Sequence, residues 1–565
     1  VTDTATPAHA RPEVAEYLAA TQRLTGPGSP FELVEEDVRG ETMRVYAHRP
    51  RSLRDVLVAS FAHGNRDNWV FSDGRRITFA DTERQVASVA AHLKREHGVS
   101  PGDRVAICGA NSAGWLLSFW ACLSLGAVTV AMNGWWTEAE MHHALDLSEP
   151  KLLLIDTKRA ERLGATPGLA QIDLDTQIDA LIAHDPAARL PADPIDEDDP
   201  AILIFTSGTT GRPKAAVLSH RSVIAYGMTQ SFIGARALVL SGRTPPAGAP
   251  PVRLAVFPLF HVSGLGATVS GVMTGSTTVW PLGRFEPEAI IELTVAEGIN
   301  TWGGTGTHVI RLLEHPDIDR VDPAQLVMVG MGGSATTPEI MRRVDTKLPH
   351  LAGTMSTGYG STETGALVSY APNWMLSASP ECVGPPLPGV EVRITDPLGN
   401  DLPDGEEGNI CARSPLLMNG YWHNPDADAD AFLPGRWYIT GDFGRMEGGL
   451  LYMASRRRDL IIRGGENIYP YEIENRLDEH PDVAEAAVIG IDHDVLGQEV
   501  GAVVVLTPGA RVTADELKAF CAETLAPYKV PVSIQLRAEA LPRNPSGKIL
   551  KHVLAGSGEH SFVEE

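Results

Sequence analysis

From Ser52 onward the chain alternates between stripes of helical period and short apolar runs. Arg75 to Phe79 reads as a strand entering a helix whose apolar stripe includes Val86, Val89 and Leu93, a spacing of three and four residues. Val105 to Cys108 and Lys151 to Ile155 are short apolar runs of the kind buried on both faces of a parallel sheet. This alternation predicts an α/β layer architecture. Trp115 to Met132 carries no charge over eighteen residues, the length at which a membrane span must be considered. Gly126 divides it, and the β-branched run after that glycine suits a strand. The expectation is a buried helix, then a strand from Val128 to Met132.

The pattern shifts after Arg456-Arg457-Arg458-Asp459. A helix is expected from about Pro470, with Glu472 and Glu474 in its first turn, and strands near Ala487–Gly490 and Gly501–Leu506. A helix over Ala514–Thr524, a strand near Val532–Leu536 and a short helix after Lys548 follow. Together they make a compact α+β unit of about 105 residues. The predicted division is an N-terminal extension over 1–50, a large domain of several subdomains over 51–457 and a smaller α+β domain over 458–565. The acidic run Pro194 to Pro200 reads as a solvated linker. Ser241 to Pro251 is a Pro/Gly/Ala-rich loop.

Composition narrows the function. Hydrophobic residues are 43% and charged residues 21% of 565, an ordinary globular balance. Acidic residues number 71 against 47 basic, a formal charge of −24. That argues against nucleic acid and anionic membranes as partners, while leaving room for a small basic pocket. Cys108, Cys122, Cys382, Cys411 and Cys521 have no metal-ligand spacing and suit a reducing cytoplasm. Val1 to Ala10 has no basic segment followed by an apolar core, so no signal peptide is expected.

The sharpest chemical signal runs from Ile202 to Lys214. An apolar strand enters a loop containing Thr206, Ser207, Gly208, Thr209, Thr210 and Gly211, and Lys214 follows. Glycines let backbone N–H groups converge into an anion nest, hydroxyls add donors and the lysine adds a point charge. These suit the β- and γ-phosphates of a nucleotide. The spacing is not that of a Walker A loop, because Gly211 is followed by Arg212 and Pro213.

Phe205 to Lys214 resembles the nucleotide loop of the adenylate-forming superfamily, which includes acyl- and aryl-CoA synthetases, peptide-synthetase adenylation domains and firefly-type luciferases. The resemblance extends over about residues 52 to 555, with further motifs in the family's order. It implies that in Gly358-Tyr359-Gly360-Ser361-Thr362-Glu363 Tyr359 stacks on adenine, Thr362 holds the α-phosphate and Glu363 binds Mg2+. Gly333 and Ser334 would lie beside the adenine and the acyl pocket. His261, in Pro258 to Gly264, would border the carboxylate. Asp442, at the end of the strand from Trp437, would accept from the ribose hydroxyls, helped by Arg456 or, with the register moved by one, Arg457. Arg458 matches the hinge, Gly464 and Gly465 the loop lining the coenzyme A tunnel, and Lys548 the catalytic lysine of adenylation.

The implied reaction is ATP-dependent activation of a carboxylic acid to an acyl-adenylate, then transfer to coenzyme A, with Mg2+ as cofactor. The acyl pocket is expected near His261, Thr307, Gly333 and Gly358. The glycines at 303, 304 and 306 suggest room for a fatty, ring-containing or aromatic acid. Transfer to an amine or a carrier-protein thiol is the alternative acceptor chemistry. A luciferase-like relative is another alternative. A nucleotide-binding protein without catalysis is the alternative of another class. A second copy of the chain is the one protein partner left open.

Overall fold

The computed structural model describes residues 8–206, 213–242, 251–331, 338–351, 354–456, 459, 461–463, 466–468, 470–493, 496–525, 527–543 and 549–556. Two six-stranded sheets form the body. The first runs in the order Lys214–Ser219, Pro200–Thr206, Val128–Met132, Arg104–Cys108, Leu152–Ile155, Ala170–Asp173. Its neighbours are parallel except for the first pair, which is antiparallel. The second runs Met328–Met331, Thr301–Gly304, Val252–Leu254, Thr277–Trp280, Asp67–Phe71, Arg76–Thr78, parallel except for its last pair. Parallel strands need helical crossovers, and these cover the sheet faces.

The expected helix over Phe79–His97 is present, with Val86, Val89 and Leu93 fully buried. Thr78 and Asp81 cap its start reciprocally, and Gly98 ends it with a left-handed φ of 62°. The uncharged run divides as its glycine predicts. Ala113–Ser124 is a helix buried along its whole length, Gly126 turns at φ 71° and Val128–Met132 is a strand. Trp115, Phe119 and Trp120 from that helix fill the main core. Among the described residues one helix, His220–Ser241, is long and apolar enough to cross a membrane by length and composition. Here Ile224 and Phe232 on it are fully buried in the body.

A third, antiparallel sheet runs Cys382–Gly384, Leu450–Arg456, Trp437–Glu447, Gly408–Arg413, Glu391–Thr395. The C-terminal sheet joins Glu466–Ile468, Ile461–Arg463, Gly497–Leu506 and Val483–His493, with Ser533–Arg537 added in parallel. The strands of its central hairpin are longer than hydropathy suggests, because pairing continues through polar residues such as Asp492 opposite Gln498. Ile473, Leu477, Val488, Val504 and Leu517 give this unit its own core.

Two segments are more ordered than their polarity implies. Residues 8–46 hold a helix, Pro12–Thr25, and a hairpin, Leu33–Val38 with Glu41–Tyr46. The Arg236 guanidinium lies 3.9 Å from the centre of the Tyr17 ring, and the Tyr17 hydroxyl donates to Tyr370 O at 3.3 Å. The acidic run Pro194 to Pro200 is not simply a solvated linker. Glu197 accepts from Arg49 and Arg51 at 2.9 and 2.7 Å and meets Arg221 at 2.9 Å, while Arg221 also grips Asp198 at 2.6 Å. Arginines from separate elements converge there, and local sequence cannot reveal that convergence.

Candidate active site

The phosphate-loop expectation falls between two paired strands. Lys214 stands opposite Thr206, and pairing continues from there through Ile202 opposite Leu218. The two ends of the loop are thereby held together. Ser207, Gly208, Thr209, Thr210 and Gly211 lie outside the described residues. The Lys214 ammonium sits 5.2 Å from the centre of the Tyr421 ring, a cation–π contact. The Tyr421 hydroxyl in turn donates to Glu363 Oε1 at 3.3 Å, and its backbone N–H donates to Asp428 Oδ1 at 2.7 Å. Tyr421 therefore joins the lysine of one motif to the carboxylate of another. Burial first, and then the Glu363 carboxylate, pushes the phenols of Tyr421 and Tyr438 well above their ordinary range, so both remain protonated donors.

Glu363 and Thr362 are presented by a tight turn after the strand Ser356–Tyr359. The Ser361 N–H donates to Thr364 Oγ1 at 2.7 Å, and the Ala366 N–H to Ser361 O at 2.8 Å. Gly365 has φ 66°, and a Cβ there would lie 2.1 Å from Leu416 O, so only glycine fits. The Tyr359 hydroxyl donates to Asp442 Oδ2 at 2.9 Å. The predicted adenine-side aromatic and the predicted ribose-side carboxylate are thus brought together. Asp442 does not end its strand, as the sequence suggested. Trp437–Glu447 continues past it through a bulge at Phe443/Gly444, and Asp442 pairs with Arg456 in the strand Leu450–Arg456. The register supports Arg456 as the ribose-side candidate, although its side chain lies outside the described residues, as does Arg457.

On the acyl side, His261 caps the start of the helix Val262–Thr274 without a side-chain bond to it. Its Nε2 is buried and has no partner among the described residues. Burial pushes its pKa down to about 4, so the ring is neutral at pH 7. Asn111 fixes the loop leading to it, accepting from Leu259 N at 2.9 Å and donating to Phe257 O at 3.0 Å. Sequence reasoning missed Asn111. Its position just beyond the carboxyl end of the strand Arg104–Cys108, where open α/β sheets place ligands, is the signal that could have found it. A small apolar cavity is lined by Ile202 and Ile204 of the phosphate-loop strand, Val262 beside His261, and Gly365 of the Thr362–Glu363 turn. Segments flanking the three predicted motifs therefore meet at one small cavity. Gly358 lies on the neighbouring strand Ser356–Tyr359, and Thr307 lies in the first turn of the helix Gly306–Leu313, its side chain undescribed. Gly333 and Ser334 lie outside the described residues.

Residues 58–422 match the family model described as AMP-binding enzyme, and residues 472–548 match the AMP-binding enzyme C-terminal domain. The chain belongs to the AMP-binding enzyme family. Among its relatives, a feruloyl-CoA synthase from Amycolatopsis sp is 34% identical over 85% of this chain and 93% of its own length. A 2-succinylbenzoate–CoA ligase from Bacillus velezensis is 33% identical over the same shares of both chains. The ATP-bound structure of MatB from Rhodopseudomonas palustris superposes with a TM-score of 0.76 at 29% identity, covering 90% of this chain and 99% of that one. This member of the family is an AMP-forming acid–thiol ligase of the acyl-CoA synthetase type. It uses ATP to activate an acid and transfers the acyl group to coenzyme A.

The AMP-binding enzyme's expected hinge Arg458, tunnel residues Gly464 and Gly465 and lysine Lys548 lie outside the described residues. The flanks of Lys548 are described and well anchored. Arg543 and Ile549 form an antiparallel bridge, and the Leu550 N–H donates to Pro542 O at 2.8 Å. Glu485 accepts from the Leu541 N–H at 2.8 Å and holds Arg543 in an ion pair. Lys551 meets Glu474 at 2.7 Å. Both flanks, 541–543 and 549–551, are thus fastened to the C-terminal unit. That unit touches the large domain through Tyr471, whose hydroxyl donates to Pro380 O at 3.4 Å.

Proposed function

We propose that this ligase activates a bulky carboxylic acid, fatty, ring-containing or aromatic, with Lys548 as the adenylation lysine and Arg458 as the hinge between domains over 51–457 and 458–565. The observation that carries the reading is the Tyr421 joint. It links Lys214, at the edge of the phosphate loop, to Glu363, on the turn that also presents Thr362. Two relatives, a feruloyl-CoA synthase and a 2-succinylbenzoate–CoA ligase, favour a ring-containing acid.

In the first half-reaction a carboxylate oxygen attacks the α-phosphorus, the bond to the bridging oxygen breaks and pyrophosphate leaves. Such chemistry depends on positioning and charge stabilisation. Lys214 and the phosphate loop hold the β- and γ-phosphates. Thr362 donates to the α-phosphate, and Asp442 accepts from the ribose hydroxyls beside Tyr359. Neutral His261 lies along the acid without repelling or trapping its charge. Lys548 bridges the carboxylate and the α-phosphate as negative charge concentrates. In the second half-reaction the thiol sulfur attacks the acyl carbon, AMP leaves and the thiol proton is lost to solvent. Rotation about Arg458 withdraws Lys548 and brings Gly464 and Gly465 to the thiol path.

Glu363 fits Mg2+. Its Oε1 accepts the Tyr421 hydroxyl, and its second oxygen takes no hydrogen bond from a described residue. No group of three or more His, Cys, Asp or Glu able to hold a metal occurs among the described residues. A cation there would rest on one carboxylate and the substrate phosphates, as Mg2+ favours. Bound Mg2+ would offset charge on the triphosphate. A reducing cytoplasm fits the cysteines, all five unpaired and buried.

Acid-dependent exchange of labelled pyrophosphate into ATP tests adenylation across a panel of acids. Thioester detection with coenzyme A then separates this acceptor from amines and carrier proteins. Exchange without any acid requirement would overturn the reading.

A further inference from the structure

Beyond His261, the same helix leads to an arginine without a counterion among the described residues. Arg253 lies in the centre of the second sheet, on the strand Val252–Leu254. Its neighbours Val252 and Leu254 pack into the core on one face. Arg253 points to the other face, where its Nη1 donates to Ser270 Oγ at 3.3 Å on the helix Val262–Thr274. Its Nε is buried and has no partner, and no carboxylate pairs with it among the described residues. Among the described residues the Tyr226 phenol is the titratable group that faces it, and burial lowers the pKa of Arg253.

The surroundings supply donors where a guanidinium needs an acceptor. The Tyr226 hydroxyl accepts from Gln230 Nε2 at 2.9 Å, which leaves its own proton to give. Thr278 pairs in register with Arg253, and its Oγ1 is buried without a partner. Trp280 Nε1, two residues further along the same strand, is likewise buried and unpartnered. A buried cation among unused donors is unfavourable by itself, and an anion that enters relieves it.

A small cavity reaches part of the way to this cluster. His261, Tyr226 and Arg253 are each deeply surrounded by protein, yet none is fully buried. Tyr226 and Val262 line the cavity beside His261. Gly266, one turn further along the helix, admits the Tyr226 ring, since a Cβ there would lie 2.4 Å from Cε1. Paired Gly303 and Gly330 leave the sheet free of side chains beside it. From His261 to Ser270 is nine residues, an axial rise of about 13 Å.

We propose that the acid this enzyme activates carries a second carboxylate at its far end, on the order of 10 Å from the reacting one, which Arg253 receives with the Tyr226 hydroxyl. This rests on the ligase reading and names its substrate class.

The test compares sebacate, its monomethyl ester and decanoate, which share chain length, in acid-dependent pyrophosphate exchange. Binding of each to the wild type and to Arg253→Met is measured by calorimetry without ATP. The wild type is expected to prefer sebacate at least tenfold in kcat/KM. Arg253→Met should reduce the sebacate-to-decanoate ratio by ten- to a hundredfold, acting mainly through KM, and Arg253→Lys should recover part of it. The melting temperature of Arg253→Met should hold or rise, because an unpaired buried charge is removed. A wild-type preference for decanoate, equal losses for both acids, or an ester as good as sebacate would overturn the proposal. Exchange with decanoate alone would leave the ligase reading standing and end this one. Arg253-dependent sebacate binding without exchange would do the reverse.

Discussion

The two ends of the site are built on opposite principles. At the nucleotide end the two candidate carboxylates each already have a phenol: Tyr359 donates to Asp442 at 2.9 Å, and Tyr421 donates to Glu363 at 3.3 Å. At the acyl end the polar groups wait. His261 Nε2 and Arg253 Nε are both buried without partners among the described residues. A site that binds the same nucleotide at every turnover gains from groups held in place beforehand, because reorganisation is avoided during reaction. A pocket that must choose among acids gains from unsatisfied groups, because the wrong acid leaves them unpaired.

Lys548 is the group that would serve both ends at once, so its removal should produce the largest effect. Losing one preorganised charge of this kind raises the barrier by ~3 kcal/mol, about a hundredfold or more in rate. Lys548→Ala is therefore expected to reduce acid-dependent pyrophosphate exchange by at least that factor. Thioester formation from a preformed acyl-adenylate should be nearly unchanged. An equal loss in both half-reactions would remove the lysine from its assigned role.

Acidification should separate the ends next. His261 is held at about 4 by burial, and so are His220, through burial and Arg54, and His308, through burial and Arg311. The ordinary histidine value is 6.5. Between those limits the unfolded chain binds more protons than the folded one, so stability falls as pH drops from about 6.5 toward 4. Each residue contributes about 1.4 kcal/mol per pH unit across that window and nothing above it. Urea unfolding at a series of pH values checks this. His261→Asn should flatten the slope by one residue's share, and an unchanged slope would show that the ring ionises freely in the folded protein.

The nucleotide end was also the legible end. Lys214, Tyr359, Glu363 and Asp442 sit in short motifs that the family resemblance picks out, and in the structure Tyr359 meets Asp442 while Tyr421 links Lys214 to Glu363. The helix Phe79–His97 and the divided run at Gly126 were legible because periodicity and glycine act locally. Asn111, Tyr421 and Arg253 were not legible. Asn111 acts on a loop 146 residues away, and Tyr421 on a carboxylate 58 residues away. No local pattern encodes such approaches. Arg253 is unusual only because no acid among the described residues pairs with it, an absence that exists in space and not in sequence. Glu197 was misread for the same reason, since its arginines come from distant elements.

The finest probe of the contrast is Tyr421→Phe. It keeps the ring beneath Lys214 and removes one hydrogen bond to Glu363. A hydrogen bond to a charged group is worth roughly 1.5–3 kcal/mol, but the freed carboxylate oxygen would regain water or cation contact, so a net loss of about 1 kcal/mol, near fivefold in exchange rate, is expected. If the hydroxyl works by positioning Glu363, the loss should shrink when Glu363→Gln is already present, because the two substitutions touch one interaction. The loss should also fall mainly on the Mg2+ concentration needed for half-maximal rate, with the KM for the acid unmoved. Strict additivity with Glu363→Gln, or a shift confined to the acid, would show that the phenol does not position the carboxylate and would remove the joint on which the pre-paired end depends.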